Sequence, residues 1–188
     1  MAFVIVYDAC VLFPAPLRDL LIRLAQTGVV RARWSERILD EVFRNILRVR
    51  PELKPEQLER TRALMNQAIP DVVVDGFESI EAGLSLPDVD DRHVLAAAIR
   101  SGAQTIVTFN LKDFPDETLA AYGVEAVDPD TFVVDLIDLA PGVVLSVVDE
   151  QAKALKSPPR TTLELIDTLE SNGLRRTAAK LRELLRAV

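Results

Sequence analysis

The stretch Phe3-Val4-Ile5-Val6-Tyr7-Asp8 decides how this chain is read. Five β-branched or aromatic residues in a row fit a strand buried on both faces, as in the centre of a parallel sheet. The run ends on an aspartate, and the carboxyl ends of parallel strands are where open α/β sheets bind ligands. Phe13-Pro14-Ala15-Pro16 follows instead of a glycine-rich turn, which argues against a dinucleotide-binding domain.

Outward from Asp8, strand-like and helix-like segments alternate. Pro14 and Pro16 start a helix over Leu17–Thr27, with Leu17, Leu20, Leu21 and Leu24 on one face and Gly28 as its stop. Val29–Trp34 reads as extended. Ser35 caps a helix running to about Arg50, ended by Pro51, and Pro55 starts another to about Ala68. Val72–Val74 and Thr105–Thr108 are predicted strands, separated by a helix from Asp91 to Gly102. Glu117–Tyr122 is helical and Val124–Val127 is a last strand. This pattern predicts an α/β domain over 1–128, a parallel sheet covered by helices. From Asp128-Pro129 onward only helical patterns occur. Thr161 with Glu164 fits a capping box, and Leu174–Val188 reads as the last helix, so 129–188 is expected to be an appended helical extension.

A chain of 188 residues with 49% hydrophobic and 27% charged residues has room and composition for that arrangement. The single Cys10 suits a reducing compartment and reads as a small buried hydrophobe. Phe3–Tyr7 is too short for a signal h-region or a membrane span, so a cytoplasmic protein with no membrane association is expected. The net charge of −7 argues against broad attraction to nucleic acid. It is unevenly placed: residues 160–188 hold six Lys and Arg against four Asp and Glu, and part of the remaining acidity belongs to a candidate metal site.

Three further acids occur in settings that could bring them to Asp8. Glu41 lies on the helix that Ser35 caps, Asp91 opens an alanine-rich helix on the face of Val94, Leu95 and Ala98, and Asp113 follows the Thr105–Thr108 strand. Two carboxylates ~4 Å apart repel by about 4 kcal/mol at an effective dielectric near 20. Such a cluster calls for cations, and oxygen ligands without Cys or His suit Mg²⁺ or Mn²⁺, one or two ions per site. One helix cap needs one Asp, whereas Asp88, Asp90 and Asp91 crowd this start, and the surplus favours metal. His93, two positions from Asp91, reads as structural. Arg37, Arg44 and Arg48 share a helical stripe with Glu41 and could bind substrate phosphates. The alternative is a solvated face with the pairs Arg37–Glu41 and Asp40–Arg44. The expected chemistry is metal-assisted hydrolysis of a phosphodiester by water, with no covalent intermediate.

Four pieces carry a resemblance: Val6-Tyr7-Asp8-Ala9-Cys10-Val11-Leu12, Trp34-Ser35-Glu36-Arg37-Ile38-Leu39-Asp40-Glu41-Val42, Asp88-Val89-Asp90-Asp91-Arg92-His93-Val94-Leu95-Ala96-Ala97-Ala98 and Val107-Thr108-Phe109-Asn110-Leu111-Lys112-Asp113-Phe114-Pro115. At these residues the chain resembles the PIN-domain ribonucleases, and more narrowly the VapC-type toxins of bacterial toxin–antitoxin pairs. The resemblance implies a PIN-like parallel sheet flanked by helices and a metal-dependent endoribonuclease leaving a 5′-phosphate. It also implies an RNA substrate, a cognate antitoxin that fills the site, and a homodimer. The family's acids fall on Asp8, Glu41 and Asp91. Its last acidic position falls in the Thr108–Asp113 loop, where Asn110 stands in place of the acid many relatives carry. Either Asp113 completes the cluster or Asn110 supplies a neutral ligand; Asp88 and Thr108 are auxiliary. Pro159–Leu169 resembles the helical C-terminal extension of a subgroup of these toxins.

Other classes fit less well. A haloacid-dehalogenase-type phosphatase needs a second Asp where Cys10 stands. A flap-type DNA nuclease would need a helical clamp and a longer chain. A catalytically weak PIN-like module binding RNA or protein is the remaining alternative, and Asn110 is the feature favouring it.

Overall fold

A computed structural model of the chain describes residues 3–187. The elements run β1 (Phe3–Tyr7), α1 (Ala9–Leu12), α2 (Ala15–Gln26), β2 (Val30–Arg33), α3 (Glu36–Val49), α4 (Pro55–Ala68), α5 (Glu78–Glu81) and α6 (Arg92–Ser101). There follow β3 (Thr105–Val107), a 3₁₀ turn (Leu111–Asp113), α7 (Asp116–Ala120), β4 (Glu125–Val127), α8 (Pro129–Leu139), α9 (Pro141–Ala154), α10 (Thr162–Ser171) and α11 (Arg175–Arg186). The last position of the expected Leu174–Val188 helix lies outside the described residues.

All strand pairings are parallel, in the order β2-β1-β3-β4. The chain passes from β1 to β2 on one side and returns to β3 on the other, so a topological switch point lies between β1 and β3, where such sheets open a crevice. Tyr7 pairs with Val107, and Val107 with Val127. That register brings Asp8, Thr108 and Asp128 out side by side at the carboxyl edge, tied by Asp8 N–H to Val107 O (3.1 Å) and Thr108 N–H to Val127 O (3.0 Å).

The local signals act as their chemistry requires. The Ser35 hydroxyl accepts from Ile38 N–H at the start of α3, and Thr161 and Glu164 form a reciprocal capping box at the start of α10. The expected strand at Val72–Val74 is instead a single bridge, Trp34 opposite Val73. Pro70 precedes it and Asp71 takes a positive φ of 55°, so too little extended chain is left for a ladder. Helix α1 was not expected. It forms because the Asp8 carboxylate accepts from Ala9 N–H (2.6 Å) and turns the chain directly off the strand.

Structure becomes all-helical at Asp128, while the apolar core runs across that point from Ile5 to Leu181. Phe132 of α8 meets the Tyr7 ring edge-on at 6.1 Å, and Gln151 of α9 donates to Pro16 O (2.9 Å). Leu165, Ile166, Leu169, Leu174, Ala178 and Leu181 are buried between the last helices and the rest. Most basic residues of α11 are engaged internally: Arg176 with Asp130, Lys180 with Asp138, and Arg182 with Asp167 and Glu170. Among the described residues no single helix is long and apolar enough to cross a membrane; α8 and α9 pass jointly on composition but meet at a 120° bend.

Candidate active site

Asp8 is buried and fully oriented. One oxygen accepts from Ala9 N–H (2.6 Å); the other accepts from the Thr108 hydroxyl (2.7 Å) and the Cys10 thiol (3.1 Å). The Thr108 hydroxyl, at the end of β3, also accepts from Asn110 N–H (3.0 Å). The two strand ends flanking the switch point are thereby locked to each other. Cys10 is only partly buried, and its sulfur accepts from Phe109 N–H (3.2 Å). Burial first, then the Asp8 charge, pushes its thiol up to about 12, so it is a polar spacer and not a nucleophile. The simple buried-hydrophobe expectation understated it.

Asp91 stands at the N-cap position of α6, and its side chain makes no capping hydrogen bond. The capping explanation for this residue therefore fails, and its carboxylate is free for another use. Burial, then the charges of Asp8, Asp88, Asp113 and Glu41, push its pKa up to about 7. Asp8, Glu41 and Asp113, with Asp88, thus each lie within Coulomb range of Asp91. Asp88 is exposed and turns its own loop, accepting from Asp90 N–H (2.9 Å). Asp113 is partly buried at the end of the 3₁₀ turn; Asn110 is exposed, with only its backbone tied into the network.

Glu41 reaches the group from α3. His93, fully buried in α6, places Nε2 2.7 Å from Glu41 Oε1. The approach is poorly aligned, and neither ring nitrogen has a partner in hydrogen-bond geometry among the described residues. The short separation still means that His93 backs Glu41, a role that spacing along one helix cannot reveal because it lies across two helices.

The arginine stripe divides. Arg37 is paired with Glu81 of α5 (2.7 Å) and not with Glu41. Neither anticipated helix pair forms: Asp40 is taken by Arg62 of α4 (2.6 Å), which also holds Glu36 (2.7 Å). Arg44 and Arg48 are exposed, and among the described residues no ion pair engages them.

No group of three His, Cys, Asp or Glu among the described residues is closed to metal-coordination geometry. The donor set fits a hard divalent cation nonetheless: it is all oxygen, and mutual repulsion at Asp91 is the imbalance such a cation relieves. A groove of about 660 Å³ between α2, α4, α9 and α10 lies away from these acids.

Comparison with known proteins bears on this arrangement. A family model described as the VapC50 C-terminal domain matches residues 129–183. The Mycobacterium tuberculosis protein named "Putative ribonuclease VapC50" is 44% identical over 94 residues, which cover 50% of this chain and 55% of that protein. The chain thus spans about half the length of that curated relative. No solved structure matches. A PIN domain model matches residues 4–112, more than half of the chain and including the segments that hold Asp8, Glu41, Asp91 and Asn110, so the chain belongs to the PIN-domain family.

Proposed function

We propose that this protein is a Mg²⁺- or Mn²⁺-dependent endoribonuclease of the VapC type, with Asp8, Glu41, Asp91 and Asp113 as metal ligands. The observation that carries it is that Asp8, Glu41 and Asp113 bear on Asp91, whose pKa burial first, and then these neighbouring charges, push up to about 7. Family membership and the likeness to a relative named as a ribonuclease support the RNA substrate. When bound, the ions would supply charge neutralisation for the phosphodiester and activation of the attacking water. The chain's own residues do the rest. Thr108 and Cys10 fix the direction of Asp8, since each donates to it. His93 limits where Glu41 can point. Arg44 and Arg48, exposed and free of ion pairs among the described residues, would take substrate phosphates.

The division at residue 128 is proposed as a functional one: 1–128 carries every candidate ligand and 129–188 carries none, although they share a core. The sequence resemblance to VapC-type toxins supports a cognate antitoxin as protein partner, a homodimer and a cytoplasmic setting.

Purified protein is assayed against RNA and single-stranded DNA with Mg²⁺, Mn²⁺ or EDTA. RNA cleavage that EDTA stops and that Asp8→Asn and Asp91→Asn abolish is the expected result. The competing view, a module that binds RNA without cutting it, is favoured by Asn110 at the fourth position. Metal-independent binding with no cleavage by wild type would establish it instead.

A further inference from the structure

Several exposed large apolar side chains lie on the two loops that carry candidate ligands. Val89 sits between Asp88 and Asp90, while Phe109 and Leu111 flank Asn110. Single apolar residues on a surface need no explanation, but three on the two loops that carry candidate ligands do. Phe109 is the aromatic among them, 40% exposed and yet held in place. Its amide is bound to Cys10 Sγ (3.2 Å). Its ring lies against Gly173, in the turn between α10 and α11, so closely that a Cβ there would stand 3.2 Å from Cε1 and 3.6 Å from Cζ. Gly173 also has φ +98°, so glycine serves both the turn and the contact. The ring is therefore braced from the helical extension while much of its surface faces solvent. Thr108, the preceding residue, is bonded to Asp8, and neighbouring Cα atoms are only ~3.8 Å apart. Phe109 therefore starts the loop that leaves the carboxyl edge of the sheet beside Asp8, its amide on Cys10 and its ring on Gly173.

We propose that Phe109, backed by Gly173, is a stacking platform for an unpaired nucleobase next to the phosphodiester that is cut. This rests on the ribonuclease reading above. The same two loops would present carboxylate-held cations to phosphate and apolar surface to the base, which is the division of chemistry within a nucleotide itself. Stacking on an aromatic side chain tolerates any base and needs a single-stranded substrate; its loss weakens binding by roughly five- to a hundredfold. On this view Phe109 is a positioning residue for substrate, and the extension contributes to the site by holding the ring.

The test uses the full chain and a short unstructured RNA carrying 2-aminopurine. In an Asp8→Asn background, with Mg²⁺, binding should quench the probe's fluorescence. Adding Phe109→Leu, which keeps apolar bulk against Gly173, should abolish the quench. In otherwise wild-type protein Phe109→Leu should raise KM at least fivefold with little change in kcat. Phe109→Trp should keep the KM of wild type, and its indole emission, read above that of buried Trp34, should fall on RNA binding. Melting temperature serves as the check on folding. If Phe109→Leu does not fold, the quench of the new indole emission in Phe109→Trp decides alone. Unchanged KM and quench in Phe109→Leu, with RNA still cleaved by wild type, would overturn the stacking proposal and leave the ribonuclease reading intact. If wild type neither binds nor cleaves RNA, the ribonuclease reading falls and this inference with it.

Discussion

Without a cation Asp91 shares its surroundings with Asp8, Asp88, Asp113 and Glu41, and the folded chain disfavours its charge. Its pKa rises from 3.8 to about 7, first through burial and then through those neighbours. Between those values the unfolded chain has already released the proton that the folded chain still holds. Stability therefore falls as pH rises through that window, and the loss is complete above about pH 7. Asp91→Asn should remove this fall. In EDTA at pH 8 it should unfold later than wild type, by about 1–2 kcal/mol after allowing for solvent screening of a half-exposed group. Urea titrations at pH 5 and pH 8 check this, and a variant less stable than wild type at pH 8 would refute it. Thr108 offers a second test at the same scale. Thr108→Val keeps the shape but removes the donor to Asp8, and loss of a ligand's supporting hydrogen bond typically costs ~10- to 100-fold in activity or metal affinity. A full-activity Thr108→Val variant would mean that Asp8 needs no such support.

Helix α3 shows how an element assigns different jobs to residues of one type. Trp34 Nε1 donates to Asn66 Oδ1 (2.8 Å), Asn66 donates to Glu36 (2.7 Å), and Arg62 holds Glu36 and Asp40 while lying over the Phe43 ring. These contacts tie α3 to α4 and leave Glu41 turned towards His93 on α6. Arg37 is paired with Glu81, whereas among the described residues no ion pair engages Arg44 or Arg48. Replacing Arg44 and Arg48 by Gln should weaken RNA binding and lower its salt dependence by roughly one unit per lost phosphate contact. Arg37→Gln should change the salt slope less, because Glu81 already neutralises the Arg37 charge. Affinity measured from low to high salt separates the two outcomes. Equal effects at Arg37 and at Arg44 would show the stripe acting as general positive charge.

Over the whole molecule, the helices after residue 128 are integral to the core and not merely appended. Leu165, Ile166, Leu169, Leu174 and Leu181 are each no more than 1% exposed. Burying one such side chain stabilises by about 1.5–3 kcal/mol, so losing five rivals the ~5–15 kcal/mol that holds a whole domain together. A chain ending at Ser157 should therefore be poorly soluble or lack a cooperative melt, even though no candidate ligand has been removed. Soluble yield and circular dichroism on heating provide the measurement. A truncated chain that melts as sharply as the full one, and still binds Mn²⁺, would show that residues 1–157 fold without α10 and α11.

Much of this was legible in one dimension because it depends on short-range chemistry. The strand ending on Asp8, the Ser35 cap, the proline-started helices and the Thr161–Glu164 box are set by residues within a few positions of one another, where propensity and capping act. The parallel sheet followed from their alternation, and the four acids were nameable because each stood at an element's end or on a definable helix face. What remained hidden depends on which elements lie side by side. Spacing along α3 suggested that Arg37 would pair with Glu41, yet Arg37 found Glu81 and Glu41 came to face His93. The Thr108–Asp8 lock spans a hundred positions in sequence and exists only because β1 and β3 are neighbours in register. Contact of Gly173 with Phe109 likewise arises only when the turn between α10 and α11 meets the loop after β3. Local propensity acts along the chain, whereas charge, burial and packing act through space, and only the folded arrangement says which charges share it.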